Sequence, residues 1–156
     1  MTVFVLGFLL GCIDGLRSLT APAVVCWAAH FGWLHFQDSK LAVLGHPAVV
    51  AFATLLALVE LIVDKLPETP ARTAPVGLIA RLVLGGFCGF AIATSAGTNH
   101  VLGTAAASVG AIVGAFTGYN ARRALVSSAH LPDFVVALAE DVIAIVGGLL
   151  VVSRFG

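Results

Sequence analysis

Long apolar stretches recur along this chain, and they limit its fold more than any other feature. Four are easy to place, at about 41–64, 76–96, 101–124 and 133–153. At ~1.5 Å of rise per residue, each is long enough as a helix to cross a ~30 Å hydrocarbon core. The period-two alternation that a membrane barrel needs is absent. Of 156 residues, 60% are hydrophobic and only 10% are charged. A soluble domain averages about 25% charged residues, so a water-facing surface is out of reach. The expectation is an all-α, polytopic transmembrane bundle forming a single domain over residues 1–156.

Residues 2–34 are harder to divide. They are too long for one straight span, and Asp14, Gly15, Arg17 and Pro22 interrupt them. They form either one long kinked helix or two short ones broken near Asp14–Pro22, which gives five or six segments. Broken segments survive in a membrane only where protein or a water-filled cavity covers the exposed backbone. The opening MTVFVLGFLLG lacks a basic n-region and a small-residue cleavage site, so it reads as a retained segment.

The links are polar: KLPETPARTAP after the first easy segment, AGTNH after the second, and NARRALVSSAHLPD after the third, where Pro132-Asp133 makes a good helix start. Lys65, Arg72, Arg81, Arg122 and Arg123 fall on one side, joined by Arg17 if there are six segments, while Lys40 and Arg154 fall on the other. The positive-inside rule makes the first side cytoplasmic and places the carboxy terminus outside.

Gly7, Gly11 and Gly15 repeat every four residues, as do Gly110, Gly114 and Gly118, with Gly85 and Gly89 a shorter case. Such faces let helix backbones approach closely, within one chain first and at a homodimer seam second. A weak echo of TAPAVV in TAAASV, and of ALVE in ALAE, would imply a 3+3 inverted repeat. Depth works against it, because Glu60 and Glu140 both come out near the cytoplasmic side.

The polar residues carry the functional question. Asp14, Arg17, Glu60, Asp64, Arg81, Arg122, Glu140 and Asp141 all fall in the cytoplasmic half. Ionisable groups inside a membrane face the bundle interior or a cavity, because lipid exposure is costly. Glu60 and Asp64, four apart, share a helix face, and Asp14 could pair with Arg17 three residues on. Glu140 lies about eight residues inside its helix and reads as the deepest carboxylate. Two readings compete. In one, Glu60, Glu140, Asp64, Asp14 and Asp141 bind a cation or carry protons. In the other they form an internal lattice with Arg17, Lys65, Arg81 and Arg122.

His30, His35, His46 and His100 map to the outer side without ligand spacing, with Asn99 beside His100, and Trp27, Phe31, Trp33 and Phe36 read as an outer aromatic belt. Cys12, Cys26 and Cys88 are isolated small hydrophobes. No nucleophile motif, phosphate loop or metal signature is visible, so neither catalysis nor a cofactor or metal is expected. Net charge of +0 with few basic groups speaks against nucleic acid.

Three stretches, GLRSLTAPAVVCWAAHFGWL, LALVELIVDKLP and LAEDVIAIVGGLLVVS, resemble the signatures of a bacterial membrane-protein family, the domain of unknown function numbered 4126. The matching positions are Gly15, Leu16 and Pro22; then Glu60, Asp64, Lys65 and Pro67; then Glu140 and Asp141. The link after Pro67 is shorter here than the family pattern implies. The resemblance brings no reaction, but it singles out the same carboxylates. The expected function is passage of a small solute or ion, by a homo-oligomer in the bacterial inner membrane. The alternative is a non-catalytic subunit or scaffold whose charges are internal pairs.

Overall fold

A computed structural model describes residues 1–36, 39–65, 74–128 and 131–156. The described residues form six α-helices and two short 3-10 turns: α1 Thr2–Leu16, α2 Thr20–His30, a turn at Lys40–Gly45, α3 Pro47–Val63, α4 Pro75–Ser95, α5 His100–Ser127, α6 Asp133–Val152 and a turn at Ser153–Phe155. No strand occurs among them.

The stretch 2–34 is therefore two helices. Arg17 ends α1 in an extended conformation, with φ −142° and ψ 105°. Pro22 explains why the helix cannot run through. It has no N–H to give the Ser18 carbonyl four residues back, and its ring would collide with that carbonyl. Once the chain restarts at Thr20, Pro22 lies in the first turn of α2, where no intrahelical donor is needed. Pro47 likewise sets the start of α3, six residues later than the apolar run suggests, and the His46 ring accepts from the Ala48 amide at 3.3 Å. Asn99 caps α5 by accepting from the Leu102 amide at 3.1 Å.

Two helices end on glycines that must take positive φ. Gly32 (φ 74°) follows α2 and Gly97 (φ 60°) follows α4. Each closes a paired motif that satisfies the last carbonyls: Trp33 N to Ala28 O and Gly32 N to Ala29 O, then Thr98 N to Ala93 O and Gly97 N to Thr94 O.

The helices alternate in direction between an end carrying Trp27 and Trp33 and an opposite end carrying Lys65 and Asp133. α1 runs parallel to α5, since Gly7 lies beside Gly103, Gly11 beside Ala107 and Gly15 beside Ala111. A Cβ on Gly11 or Gly15 would strike the α5 backbone, and one on Gly110 or Gly114 would strike the backbone of Phe8 or Cys12 in α1. The two glycine faces thus meet inside one chain, and buried Gly118 continues that of α5. Gly89 brings α4 against the α5 backbone at Gly103, and Gly85 lies against the Ala111 side chain of α5. α2 packs against α3 and α6.

Chain directions in α1–α3 and α4–α6 are opposite, as inverted halves require. The packing is not mirrored, because α5 has 28 residues and packs along α1 and α4, whereas its counterpart α2 has 11. α4, α5 and α6 are long and apolar enough to span a membrane; α1 and α3 are shorter apolar helices. Phe52, Leu55 and Ile62 of α3 and Val142, Ile143 and Leu150 of α6 are all more than half exposed. Such an apolar outer surface suits lipid and makes this a membrane protein of the helical kind.

Candidate functional site

Simple helix rise predicts one polar layer. Asp14, Glu60, Arg81 and Glu140 each lie about 18–21 Å from the aromatic end of their helices at 1.5 Å per residue. The structure brings them to the break between α1 and α2. Arg122 starts between two and three turns further along α5, but helical side chains lean towards the amino terminus and its guanidinium reaches back towards Glu140 in the layer.

Arg17 is the centre. It is fully buried, and because it has left the helix its side chain is free to reach two others. Its Nη1 binds Asp64 Oδ2 of the α3 end, and its Nε donates to Asp141 Oδ1 of α6 at 2.8 Å. Nη2 lies 3.9 Å from Glu140 Oε2 and makes no hydrogen bond among the described residues. Lys65 Nζ donates to Asp141 Oδ2 at 2.5 Å and to the Leu61 carbonyl at 2.7 Å. Both oxygens of Asp141 are therefore matched by cations.

Glu60 does something the sequence did not suggest. Its Oε1 accepts from the Ser18 amide at 2.7 Å and the Ser18 hydroxyl at 2.5 Å, and its Oε2 accepts from the Leu19 amide at 2.8 Å. These amides begin α2, so a carboxylate from α3 caps a helix some 40 residues away in the chain. It also sits at the positive end of the α2 dipole. The usual cap from the helix's own first residues is missing, since Leu19 has no side-chain acceptor.

Glu140 lies between Arg17 and Arg122, whose Nη1 is 3.5 Å from Glu140 Oε2. Arg122 is held by Asp133, with Nε to Oδ1 at 2.8 Å and Nη2 to Oδ2 at 2.7 Å. The sequence marked Asp133 only as a helix start; an acidic residue in the first turn of α6 was the available hint of a partner. Arg81 donates through Nε to the Gly15 carbonyl and through Nη1 to the Gly77 carbonyl, both at 3.1 Å. It thereby covers a carbonyl that the end of α1 leaves open.

Asp14 differs from the other four carboxylates. It is fully buried, more so than Glu140, which the sequence placed deepest, and neither of its oxygens has a hydrogen-bond partner among the described residues. The expected pairing with Arg17 does not form, because Arg17 lies beyond the helix end and turns towards α3 and α6. Asp14 instead faces α4 and α5: a Cβ at Gly85 would lie 3.1 Å from its Oδ2 and 2.9 Å from the Ala111 Cβ. Thr20 Oγ1, at the start of α2, is also buried without a partner among the described residues.

His30, His35, His46 and His100 lie near the aromatic end in separate local roles. His30 Nδ1 is 2.9 Å from the Gly45 carbonyl, His46 caps α3, and the His100 ring packs 5.2 Å from Phe90. No group of three His, Cys, Asp or Glu that could hold a metal occurs among the described residues. Trp27, Phe31 and Trp33 form a run of touching rings, with centroids 5.3 and 5.6 Å apart. Phe36 departs from that belt. It is 4% exposed and belongs to the core, since the chain turns inward after Gly32. Pro67 and Arg72 lie outside the described residues.

No curated protein and no solved structure matches the chain. A family model does, and it covers the helix break and all five carboxylates of the layer. That model, a domain of unknown function (DUF4126), matches residues 4–153, and the protein belongs to this family.

Proposed function

We propose that the protein passes a small solute or ion across the membrane, with the helix break as the controlled point of the path. The observation that carries this reading is Asp14. Its oxygens make no hydrogen bond at bonding distance among the described residues, and the Arg81 charge and the Gly85 amide relieve it only in part. A buried carboxylate in that state calls for an explanation; inside a membrane such a group marks a binding step unless something matches its charge. A small cation, the proton included, would supply the match. The break beside it adds support, because discontinuous helices line solute sites in many transporters. Asp14, rather than Glu60, is then the ion-binding candidate. Glu60, Asp64 and Asp141 hold the break in place, and Glu140 stands between two arginines.

A second reading has its own observation. Arg17, Lys65 and Arg122 are each bonded to carboxylates of other segments, as expected of a lattice that fixes helix register in a non-catalytic subunit. In both readings the protein is no enzyme and binds no nucleic acid. It sits multi-pass in a bacterial inner membrane with the carboxy terminus outside, as a homo-oligomer. The basic residues at the Lys65 end support that orientation.

Proteoliposomes holding a pH-sensitive dye, tested under proton, sodium and potassium gradients, separate the two. Flux above empty liposomes, lost in Asp14→Asn while thermal stability is kept, supports passage through this site. No flux of any of the three in the wild-type protein would move the assignment to the subunit reading.

A further inference from the structure

Asp14 lies between Gly11 and Gly15, the two glycines that set α1 on the α5 backbone. On its other side comes α4, and the Gly85 site there has no room to spare. A Cβ at Gly85 would lie 3.1 Å from Asp14 Oδ2 and 2.9 Å from the Ala111 Cβ. The carboxyl is thus enclosed where three helices come close, and Asp14 is 0% exposed. Any ion that binds it must fit that space and find its other ligands there.

We infer that the cation Asp14 takes is the proton, bound to a carboxyl oxygen, and not a metal ion; this rests on the reading of Asp14 as the ion-binding group. A metal ion needs a shell. Hard divalent cations take about six or more oxygens at ~2.0–2.6 Å, and potassium filters replace the hydration shell with rings of carbonyls. No group of three His, Cys, Asp or Glu that could hold a metal occurs among the described residues. The Gly15 carbonyl, left open by the end of α1, accepts from Arg81 at 3.1 Å. Carbonyls further inside the helices are bonded within them. A proton needs neither volume nor a ligand set: one O–H bond forms, and the carboxylate becomes a neutral acid.

The surroundings suit that acid. The titratable groups that bear on Asp14 are Glu60 of α3, and Arg81 and Cys88 of α4. α5 faces α1 here with Ala107 and Ala111, and its Arg122 is held by Asp133. In α6, Asp141 is bonded to Arg17 and Lys65, and Glu140 lies between Arg17 and Arg122. On α2, Cys26 sits near Cys88, and His30 is at the far, aromatic end. On α1 itself, Arg17 turns away and Cys12, two residues back, projects from another face. Protonation therefore removes a negative charge from beside Glu60 and leaves the Arg81 bonds to the Gly15 and Gly77 carbonyls intact.

The test is infrared spectroscopy of the full chain in liposomes near neutral pH, with and without an isotope label in the aspartate carboxyls. Ordinary aspartates are ionised there. The expected result is the C=O stretch of a protonated acid that shifts with the label, is lost in Asp14→Asn, and stays when sodium or potassium replaces choline. Where Asp14→Asn does not fold, Asp14→Glu keeps a carboxyl and should take the band out of the labelled set. The absence of a label-sensitive band in the wild-type protein, its survival in the variant, or its loss on adding sodium or potassium would overturn the inference. Ion flux separates this outcome from passage itself. Sodium or potassium flux that Asp14→Asn abolishes would keep passage and overturn the proton. The band without flux of any ion would keep the proton site and end the passage reading.

Discussion

The two sides of this bundle are held together by different forces. Where α1 lies along α5, glycine and alanine let backbone rest on backbone, with contacts at Gly11, Gly15, Gly110 and Gly114. Where α3 faces α6, a groove separates the helices, and they are tied through Arg17, Lys65 and Asp141, while Glu60 and the Trp27–Thr54 bond hold α3 to α2. Inside lipid there is no hydrophobic drive between helices, so association must come from close packing or from polar bonds. The first needs small residues along a whole face. The second acts at a point and leaves the rest of the interface open. That is why a groove exists beside α3.

The largest expected effect breaks the tied side. Arg17→Met removes the buried cation and leaves Asp64 and Asp141 short of a partner, a loss of about 3–5 kcal/mol. Thermal unfolding in detergent should fall by on the order of 10 °C. A drop of only a degree or two would show that the layer is not what holds α3 and α6. Next comes the packed side. Gly114→Ala pushes a methyl into the Cys12 backbone and should cost about 1–3 kcal/mol, whereas Gly7→Ala, whose Cβ would lie 3.8 Å from the nearest atom, should leave the melting temperature unchanged or slightly raised. Equal melting of the two variants would mean that α1 and α5 do not touch so closely.

Glu60→Gln should be milder. The amide keeps one acceptor for the start of α2 but puts an N–H where Oε2 or Oε1 now accepts, at about 1–2 kcal/mol, comparable to losing a helix cap. Hydrogen exchange at Ser18 and Leu19 is the direct reading, and it should speed up there before it does in α1. The smallest effect belongs to the edge of the layer. Asp133 is 60% exposed at its side chain, so Asp133→Asn should cost under ~1 kcal/mol, and less at high salt. A large loss at Asp133 would extend the tied region beyond the buried layer.

Much of the fold was legible in the chain, and the reasons are local. Apolar length sets where helices can lie. Pro22, Pro47 and Pro75 set where three of them can start, and Gly32 and Gly97 set where two stop, because each of these residues limits its own backbone. The break near Asp14–Pro22 was visible for the same reason, although the choice between a kink and a true interruption was not. Arg17 had to leave the helix for that, and only neighbours in space could receive its side chain. The glycine faces were legible as faces, but their partner was not.

The candidate site shows the same division more sharply. Apolar surroundings alone marked Asp14, Glu60, Asp64, Glu140 and Asp141 as residues needing partners, since a charge in lipid has to be matched wherever it lies. Which partner each one takes was decided by tertiary structure. Arg17 meets Asp141 across 124 positions of the chain, and Glu60 caps a helix start that spacing cannot connect to it. Those pairings depend on the depth and rotation of separate helices, which close packing at the α1–α5 seam fixes and no short stretch of sequence encodes.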